Sequence, residues 1–430
     1  MYLIDTPPPT ISGELHIGHI FSYVPISTTV KYQRTIYQEV LAPFAVDCNG
    51  IPTWQLLKKN NLWGEAREQF IADKTKEFKQ TFDDFKINFS EHSYNTMDQM
   101  TQDICLLSFN DLVTKGLCYK AKATVLWDEK LQISVSQSEL DEQGNYERTG
   151  VKPILKETTG WFIKIDKQKI LEQIDKIEFS DEKYKNRLVS WVEQINQDWS
   201  ISRERDFGIA IPNEEGMVFD TWFISSLTPQ LAWASHTGFA SLDCPIFDIR
   251  FQGHDILRTW ALFTIVKSLY HNNQIPWKKL VVTGHVLDSK GNKISKSLGN
   301  SIPLDKYKDR PFELTYWGTL APIGTDTRFS EAVLNDGRKL KNKILNANRF
   351  IEMQENDDFV EIKPYFFGQY GISTVMIQEL LYSKSLLTIK DYFWNTFCNI
   401  EIEGAKKAPN KRGLQFMMSR IEKLFSILIN

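Results

Sequence analysis

Cysteine is scarce. The 430 residues hold five, at Cys48, Cys105, Cys118, Cys244 and Cys398, and no two stand in a C-x-x-C pair. An odd number without paired spacing excludes a disulfide framework and a thiolate zinc site, and suits a reducing, cytoplasmic setting. Long apolar runs are absent, so no stretch reaches membrane-spanning length. No charged-then-apolar leader precedes the first motif. Neither sign of charge dominates: 51 Lys and Arg face 54 Asp and Glu, for a net charge of −3. A nucleic-acid partner would therefore have to meet a local basic patch. Internal repeats and low-complexity tracts are also missing. What remains is 42% hydrophobic and 24% charged, ordinary for a soluble globular protein. It is long enough for two or three domains.

The densest run of signals lies between Asp5 and Phe21. Tyr2, Leu3 and Ile4 suit a short buried strand. Pro7, Pro8 and Pro9 have no N–H to give a ladder, so the strand must stop there. Ser12 and Gly13 form a breaker, with Ser12 the expected N-cap of a helix that starts near His16. Gly18 leaves one face of that helix bare. A helix N-terminus carries partial positive charge and free N–H groups. The imidazoles of His16 and His19 stand beside it, an arrangement suited to a polyphosphate.

A second stretch, Lys293-Ile-Ser-Lys-Ser-Leu-Gly-Asn300, is a glycine-flanked loop with Lys293, Lys296 and the hydroxyls of Ser295 and Ser297. Taken singly, the first stretch also reads as two surface histidines and the second as a solvated basic loop. Together, in this order and at this separation, they resemble the paired HIGH and KMSKS signatures of the class I aminoacyl-tRNA synthetases.

Between the two motifs the pattern is α/β. Residues 1 to about 115 read as strand, helix, strand, helix. Glu39 to Val46 reads as one short apolar strand that delivers Asp47 at its C-terminal end, where open parallel sheets bind ligands. Phe70, Phe78, Phe82 and Phe85 predict helix across 64–115. Short β-like pieces at Cys118 to Leu126 and Gly160 to Ile165 suggest an inserted lobe. Leu280 to His285 is a β-branched strand running into a glycine loop. From about Asp336 the chain reads as helical, with Arg338, Lys339, Lys341 and Lys343 as a basic cluster.

Within class I, several stretches look most like the valyl type. These are Thr6-Pro-Pro-Pro9, Gly253-His-Asp-Ile256 running on to Trp260, Asp220-Thr-Trp-Phe223, and Trp127-Asp128 through Glu139. The resemblance implies a Rossmann-like doubly wound parallel sheet, split by a small inserted lobe and followed by a C-terminal α-helical domain. Its boundaries would be 1–115 and 196–280 for the two halves of the catalytic domain, and 116–195 for a reduced insertion. The loop and stem-contact region would be 281–335, and a truncated helical anticodon-binding-like domain 336–430.

The activity implied is ATP-dependent formation of valyl-adenylate and transfer of valine to tRNA, with Mg²⁺ accompanying ATP and the chain acting as a monomer. His16, His19, Lys293 and Lys296 would be the catalytic groups. Gly18, Gly253, Asp255, Ser295 and Ser297 would bind ATP. Pro8, Asp47, Trp222 and Ile256 would bind the amino acid, with Asp47 on its ammonium. The basic cluster would meet tRNA, and no protein-bound metal is implied.

One departure stands out. Valyl-type relatives carry a large editing domain in the insertion, whereas only 21 residues separate Glu139 from Trp161. That is below the roughly 40 residues at which a domain usually folds unaided, so editing is expected to be absent. The chain also looks shortened in its helical domain. Two alternatives therefore stay open beside a tRNA ligase: a paralogue that activates a small branched amino acid for another acceptor, and a non-catalytic binding protein.

Overall fold

The computed structural model describes residues 1–135, 137–141, 143–294, 299–354, 363–408 and 410–429. The chain divides into two compact units. One comprises Met1–Gly13, Val40–Lys76 and Phe89–Val282; the other comprises Glu14–Glu39, Glu77–Asn88 and Thr283–Asn430.

The first unit opens with β1 (Tyr2–Asp5), which ends where the prolines begin. The helix that follows in sequence, α1 (Ile17–Gln33), belongs to the second unit. The apolar run after it does not form one strand. Pro43 cannot join a ladder, and the run splits into β2 (Val40–Leu41), which pairs with β1, and β3 (Phe44–Val46). After α2 (Ile51–Lys59), the expected long helix is also interrupted. It resolves into α3 (Glu65–Asp84) and α4 (Gln99–Thr114), with β4 (Ser93–Asn95) paired to β3 between them. Asp98 sets the restart, because its carboxylate accepts the Thr101 N–H as the N-cap of α4 and also the Asn95 N–H.

Residues after α4 build a second sheet. Strands β5 (Cys118–Asp128) and β7 (Ile154–Ile163) pair antiparallel from Cys118↔Ile163 to Trp127↔Ile154. Next to β5 lies β6 (Ile133–Val135). Helix α5 (Lys167–Asp175), strand β8 (Glu178–Phe179) and helix α6 (Glu182–Gln194) lead to β9 (Trp199–Ser200), giving the order β6-β5-β7-β9. A hairpin of β10 (Ser202–Glu204) and β11 (Met217–Phe219) precedes α7 (Thr221–Ser225) and α8 (Thr228–Thr237). Then come β12 (Phe247–Gly253), α9 (Leu262–Asn272) and β13 (Trp277–Thr283).

These strands complete the main sheet, ordered β2-β1-β12-β13-β8, in which β1 runs parallel to both neighbours and β13 runs parallel to β8. The register sets Ile4 beside Ile249 and Asp5 beside Arg250. Asp5 is fully buried. Its Oδ2 accepts from Arg250 Nε at 2.7 Å and Trp277 Nε1 at 2.9 Å. The guanidinium lies 3.6 Å from the Trp260 ring and 4.4 Å from the Trp277 ring. Burial pushes the Asp5 carboxyl up and the Arg250 guanidinium down to about 10, so each charge is held by the other.

A second buried polar chain ties α4 to α9. Lys267 donates to Ser108 Oγ and stands 3.2 Å from the centre of the Phe223 ring; Ser108 donates to His271 Nε2 at 2.9 Å, and His271 Nδ1 donates to Asp111 at 2.7 Å. Burial lowers the Lys267 ammonium to about 7.

The second unit is mostly helical. It contains β14 (Val286–Leu287), α10 (Pro311–Leu320) and β15 (Thr327–Arg328), followed by α11 (Glu331–Glu352), α12 (Pro364–Gln378), α13 (Tyr382–Asp391) and a last helix, Lys411–Leu428. That last helix buries Leu414, Met417, Met418, Ile421, Leu424, Phe425 and Leu428. The spacing of three and four residues makes one apolar stripe, which packs into a core with Tyr316, Leu340, Leu386 and Phe393. Among the described residues no helix is long and apolar enough to cross a membrane.

Candidate functional site

In the second unit the N-cap of α1 is His16; Ser12 lies four residues earlier, in a bend. His16 has extended backbone angles, and its Nδ1 accepts the Gly18 N–H at 3.1 Å. Its own N–H donates to Nδ1 of His19, also at 3.1 Å. Each imidazole thus does the work usually left to a serine and a glutamate in a capping box. The two ring centres are 4.1 Å apart. Because both Nδ1 atoms accept, the neutral rings carry their protons on Nε2. Gly18 is a steric requirement: a Cβ there would stand 2.8 Å from Cε1 and 2.9 Å from Nδ1 of His16.

The lysine loop reaches the same cap. Ile17 N–H donates to Ile302 O at 3.2 Å, and His16 forms a bridge with Pro303. At the other end of the loop, Lys293 bridges Leu287, and Ile294 N–H donates to Val286 O at 2.8 Å. Asn300 Nδ2 closes the neck by donating to both Lys293 O and Asp288 Oδ2 at 3.1 Å. Lys293 is exposed. Ser295, Lys296 and Ser297 lie outside the described residues.

In the first unit, Pro8, Asp47, Trp222 and Ile256 line one cavity of about 230 Å³, with Trp260 and Arg148 also in its wall. The prolines hold the Asp47 backbone, since Asp47 N–H donates to Pro9 O at 2.9 Å and Ile11 N–H donates to Asp47 O at 3.1 Å. The carboxylate accepts from Thr96 Oγ1 at 3.2 Å and Asn49 N–H at 3.3 Å. Burial raises its pKa above the ordinary carboxylate value, against those hydrogen bonds and the positive fields of Arg148 and Arg205.

Trp222 is aimed by the residues before it. Asp220 caps α7 by accepting the Trp222 N–H at 3.2 Å, and it pairs with the buried Arg203 at 3.1 Å. Thr221 Oγ1 donates to Asn49 O at 3.3 Å, and Trp222 Nε1 donates to Glu139 at 3.4 Å. Ile256 sits in a 3-10 turn, His254–Ile256, that Gly253 begins at the end of β12. A π-helical turn, Leu257–Ala261, follows, and its Trp260 Nε1 donates to Ser225 O at 2.8 Å. Asp255 is in the 3-10 turn and exposed.

Sequence reasoning did not find Arg148. It belongs to no motif, and only the fold brings it to the wall of the cavity. The basic cluster on α11 is not one patch. Arg338 pairs with Glu313 at 3.7 Å, and Lys343 Nζ lies 5.6 Å from the Trp394 ring centre. Arg338 and Lys339 are exposed, while Lys341 and Lys343 are half-buried.

Known proteins share this architecture. The family model for tRNA synthetases class I (I, L, M and V) matches residues 1–213 and 213–330. The chain is 24% identical to a valine–tRNA ligase of Rickettsia typhi, over 96% of this chain and 79% of that one. It is 25% identical to a valine–tRNA ligase of Ehrlichia ruminantium strain Gardel, over 94% and 77%. The Rickettsia alignment runs over 645 positions against a chain of 430, so at least 215 (645 − 430) have no counterpart here. Among solved structures, the leucyl enzyme agnB2 LeuRS of Agrobacterium radiobacter K84, in a ternary complex with tRNA and LeuAMS, superposes with a TM-score of 0.85 at 14% identity. It covers all of this chain and 83% of that one. Mycobacterium tuberculosis methionyl-tRNA synthetase bound by methionyl-adenylate gives 0.78 at 17%, covering 100% and 92%.

Proposed function

The chain belongs to the class I tRNA synthetases, and we propose that within that family it joins valine to ATP as valyl-adenylate and passes the valyl group to tRNA without editing. The observation that carries the reading is the histidine cap of α1. Two imidazoles and a side-chain-free Gly18 stand at a positive helix end, bonded directly to the segment that returns from the lysine loop.

Activation begins with attack of the amino-acid carboxylate on the α-phosphorus and expels pyrophosphate. The nucleophile is already ionised, so no general base is needed. Rate must come from alignment and from neutralising phosphate charge. His16 and His19 would donate from Nε2 to phosphate oxygens, with Lys293 and Lys296 meeting the leaving pyrophosphate. Ser295 and Ser297 would add hydroxyl donors. Gly18 and Gly253 would let nucleotide approach the backbone, and Asp255 would accept from ribose hydroxyls. Mg²⁺ would arrive on the phosphates of ATP. The imidazoles and ammonium groups suit phosphate oxygens rather than a hard cation.

Asp47 would hold the substrate ammonium, and its raised pKa means that an arriving cation restores its charge. Pro8, Trp222 and Ile256 would enclose a small branched side chain. The valine reading is supported by the two valine-ligase relatives. The no-editing reading is supported by the small β6-β5-β7-β9 sheet of the insertion and by the unmatched positions of the longer relative. Transfer to tRNA is supported by the family and by the tRNA bound to the leucyl neighbour.

ATP–pyrophosphate exchange across the amino acids, followed by charging of total tRNA, tests the reading. Exchange with valine and valyl-tRNA as product is expected. Exchange without charging would move the function to another acceptor, and no exchange with any amino acid would end the enzymatic reading.

A further inference from the structure

Besides Asp47, the cavity has one charged side chain in its wall, Arg148. Arg148 makes no hydrogen bond or ion pair with any described residue, yet it lines the cavity and its positive field reaches Asp47. Its backbone is pinned on both sides. Tyr146, only 1% exposed, is packed with Ile51, Ile133 and Val135. Tyr146 N–H donates to Val151 O at 2.8 Å, and Gly150 N–H donates to Tyr146 O, also at 2.8 Å. Glu147 pairs with Arg258 at 2.9 Å, and Thr149 Oγ1 donates to Asp128 Oδ2 at 2.5 Å. The neighbours of Arg148 are thus committed to the fold while its guanidinium is not. Arg205 also acts on Asp47, but it is buried and does not line the cavity.

A cavity with a carboxylate on one side and an unpaired guanidinium in the same wall is matched to a zwitterion. An amino acid has an ammonium for Asp47 and a carboxylate left over. We propose that Arg148 is an anion-binding residue of this cavity, taking the carboxylate of the amino-acid substrate or the phosphate that follows it in the adenylate. This rests on the reading that the cavity takes an amino acid. A guanidinium presents a planar fork of donors that fits either oxyanion. The residue comes from the inserted segment, so the small insertion contributes directly to substrate binding.

The test measures binding to the wild type, Arg148→Gln and Arg148→Lys of three ligands. These are the amino acid selected by the exchange assay, its amino alcohol, and a sulfamoyl analogue of its adenylate. The amino alcohol keeps the amine and side chain and lacks the carboxylate. Loss of one partly exposed charge-assisted contact should weaken amino-acid binding about 10-fold in Arg148→Gln, with partial rescue in Arg148→Lys. Amino-alcohol binding should stay unchanged, and KM should rise more than kcat falls. Weakening confined to the adenylate analogue would assign the phosphate as the partner. Unchanged binding of all three ligands, or an equal loss for the amino alcohol, would overturn the proposal. A wild type that exchanges with no amino acid would overturn the functional reading instead.

Discussion

Gly18→Ala separates the fold from the chemistry. The new Cβ would lie 2.8 Å from Cε1 and 2.9 Å from Nδ1 of His16, too close for either atom to stay. A side chain is the obstacle, so the ring can swing away and the backbone need not. Swinging away breaks the bond from Gly18 N–H to Nδ1, and loss of an N-cap costs about 1 kcal/mol. Alanine in place of glycine within a helix returns about 1 kcal/mol. The two effects nearly cancel, so the variant should unfold at almost the wild-type temperature. Its catalysis should not survive so well. The imidazole proposed to donate from Nε2 to the phosphates would be displaced, and losing one preorganised donor typically costs about 10²-fold. The assay is pyrophosphate exchange beside thermal unfolding, for Gly18→Ala, His16→Ala and the double variant. Because the glycine acts through the ring, the double variant should be no slower than His16→Ala. Wild-type exchange in Gly18→Ala, or fully additive losses in the double variant, would refute the reasoning.

Other substitutions probe the cavity and the core. In Asp47→Asn, activation should fall by about 10²-fold or more while stability at neutral pH holds or rises. A carboxyl whose folded pKa is raised weakens the fold as pH climbs through the ordinary carboxylate range towards that raised value. The stability difference between variant and wild type should therefore close as acid unfolding is followed below pH of about 4. Wild-type affinity for the amino acid should fall as pH drops through the same raised value, read as KM against pH. Asp220→Ala removes the cap of α7 and strands the buried Arg203, which should cost about 3 kcal/mol in denaturant unfolding and impair activation as well. Lys267 titrates at about 7 in the fold and near 10.4 unfolded, so stability should rise with pH between those values, and Lys267→Met should flatten that rise. With Pro8, Trp222 and Ile256 as walls, exchange should be fastest with valine and negligible with isoleucine. Threonine should be used about 10²-fold less efficiently, a figure characteristic of valine pockets in this family rather than worked out from this cavity. Comparable rates with leucine or methionine would reject those walls.

The parts of the molecule that sequence reveals are those where one residue type has one physical consequence. Pro7 to Pro9 ended β1, and Pro8, Asp47, Trp222 and Ile256 came together around one cavity although nearly 250 residues separate the first from the last. Local competition was harder to read. Ser12 is the better cap by propensity, yet the cap is His16, because two ring nitrogens could satisfy two N–H groups at once. The apolar run from Val40 looked continuous, but the effect of Pro43 depended on which sheet each half would meet. Arg148 could not be found in advance. The role proposed for it rests on its having no partner among the described residues, and partners are set by the tertiary fold. On α11 the spacing already kept the four basic residues off a single face, but only the fold shows that Glu313 and Trp394 engage two of them.

The pairing of β1 with β12 also sets a timetable for synthesis. Asp5 meets its guanidinium 245 residues later in the chain. At about 5–20 residues per second, a ribosome needs roughly 12–50 s to cover that distance. Throughout that interval the only ladder partner β1 has is the two-residue β2, and the Asp5 carboxylate is without its guanidinium. Strand β1 is therefore made long before β12, the strand that encloses it. Contacts this distant in sequence slow folding, because loop closure must precede any gain. A nascent chain halted before residue 250 would expose Leu3 and Ile4 at an open sheet edge, the kind of surface that chaperones hold and that aggregation exploits.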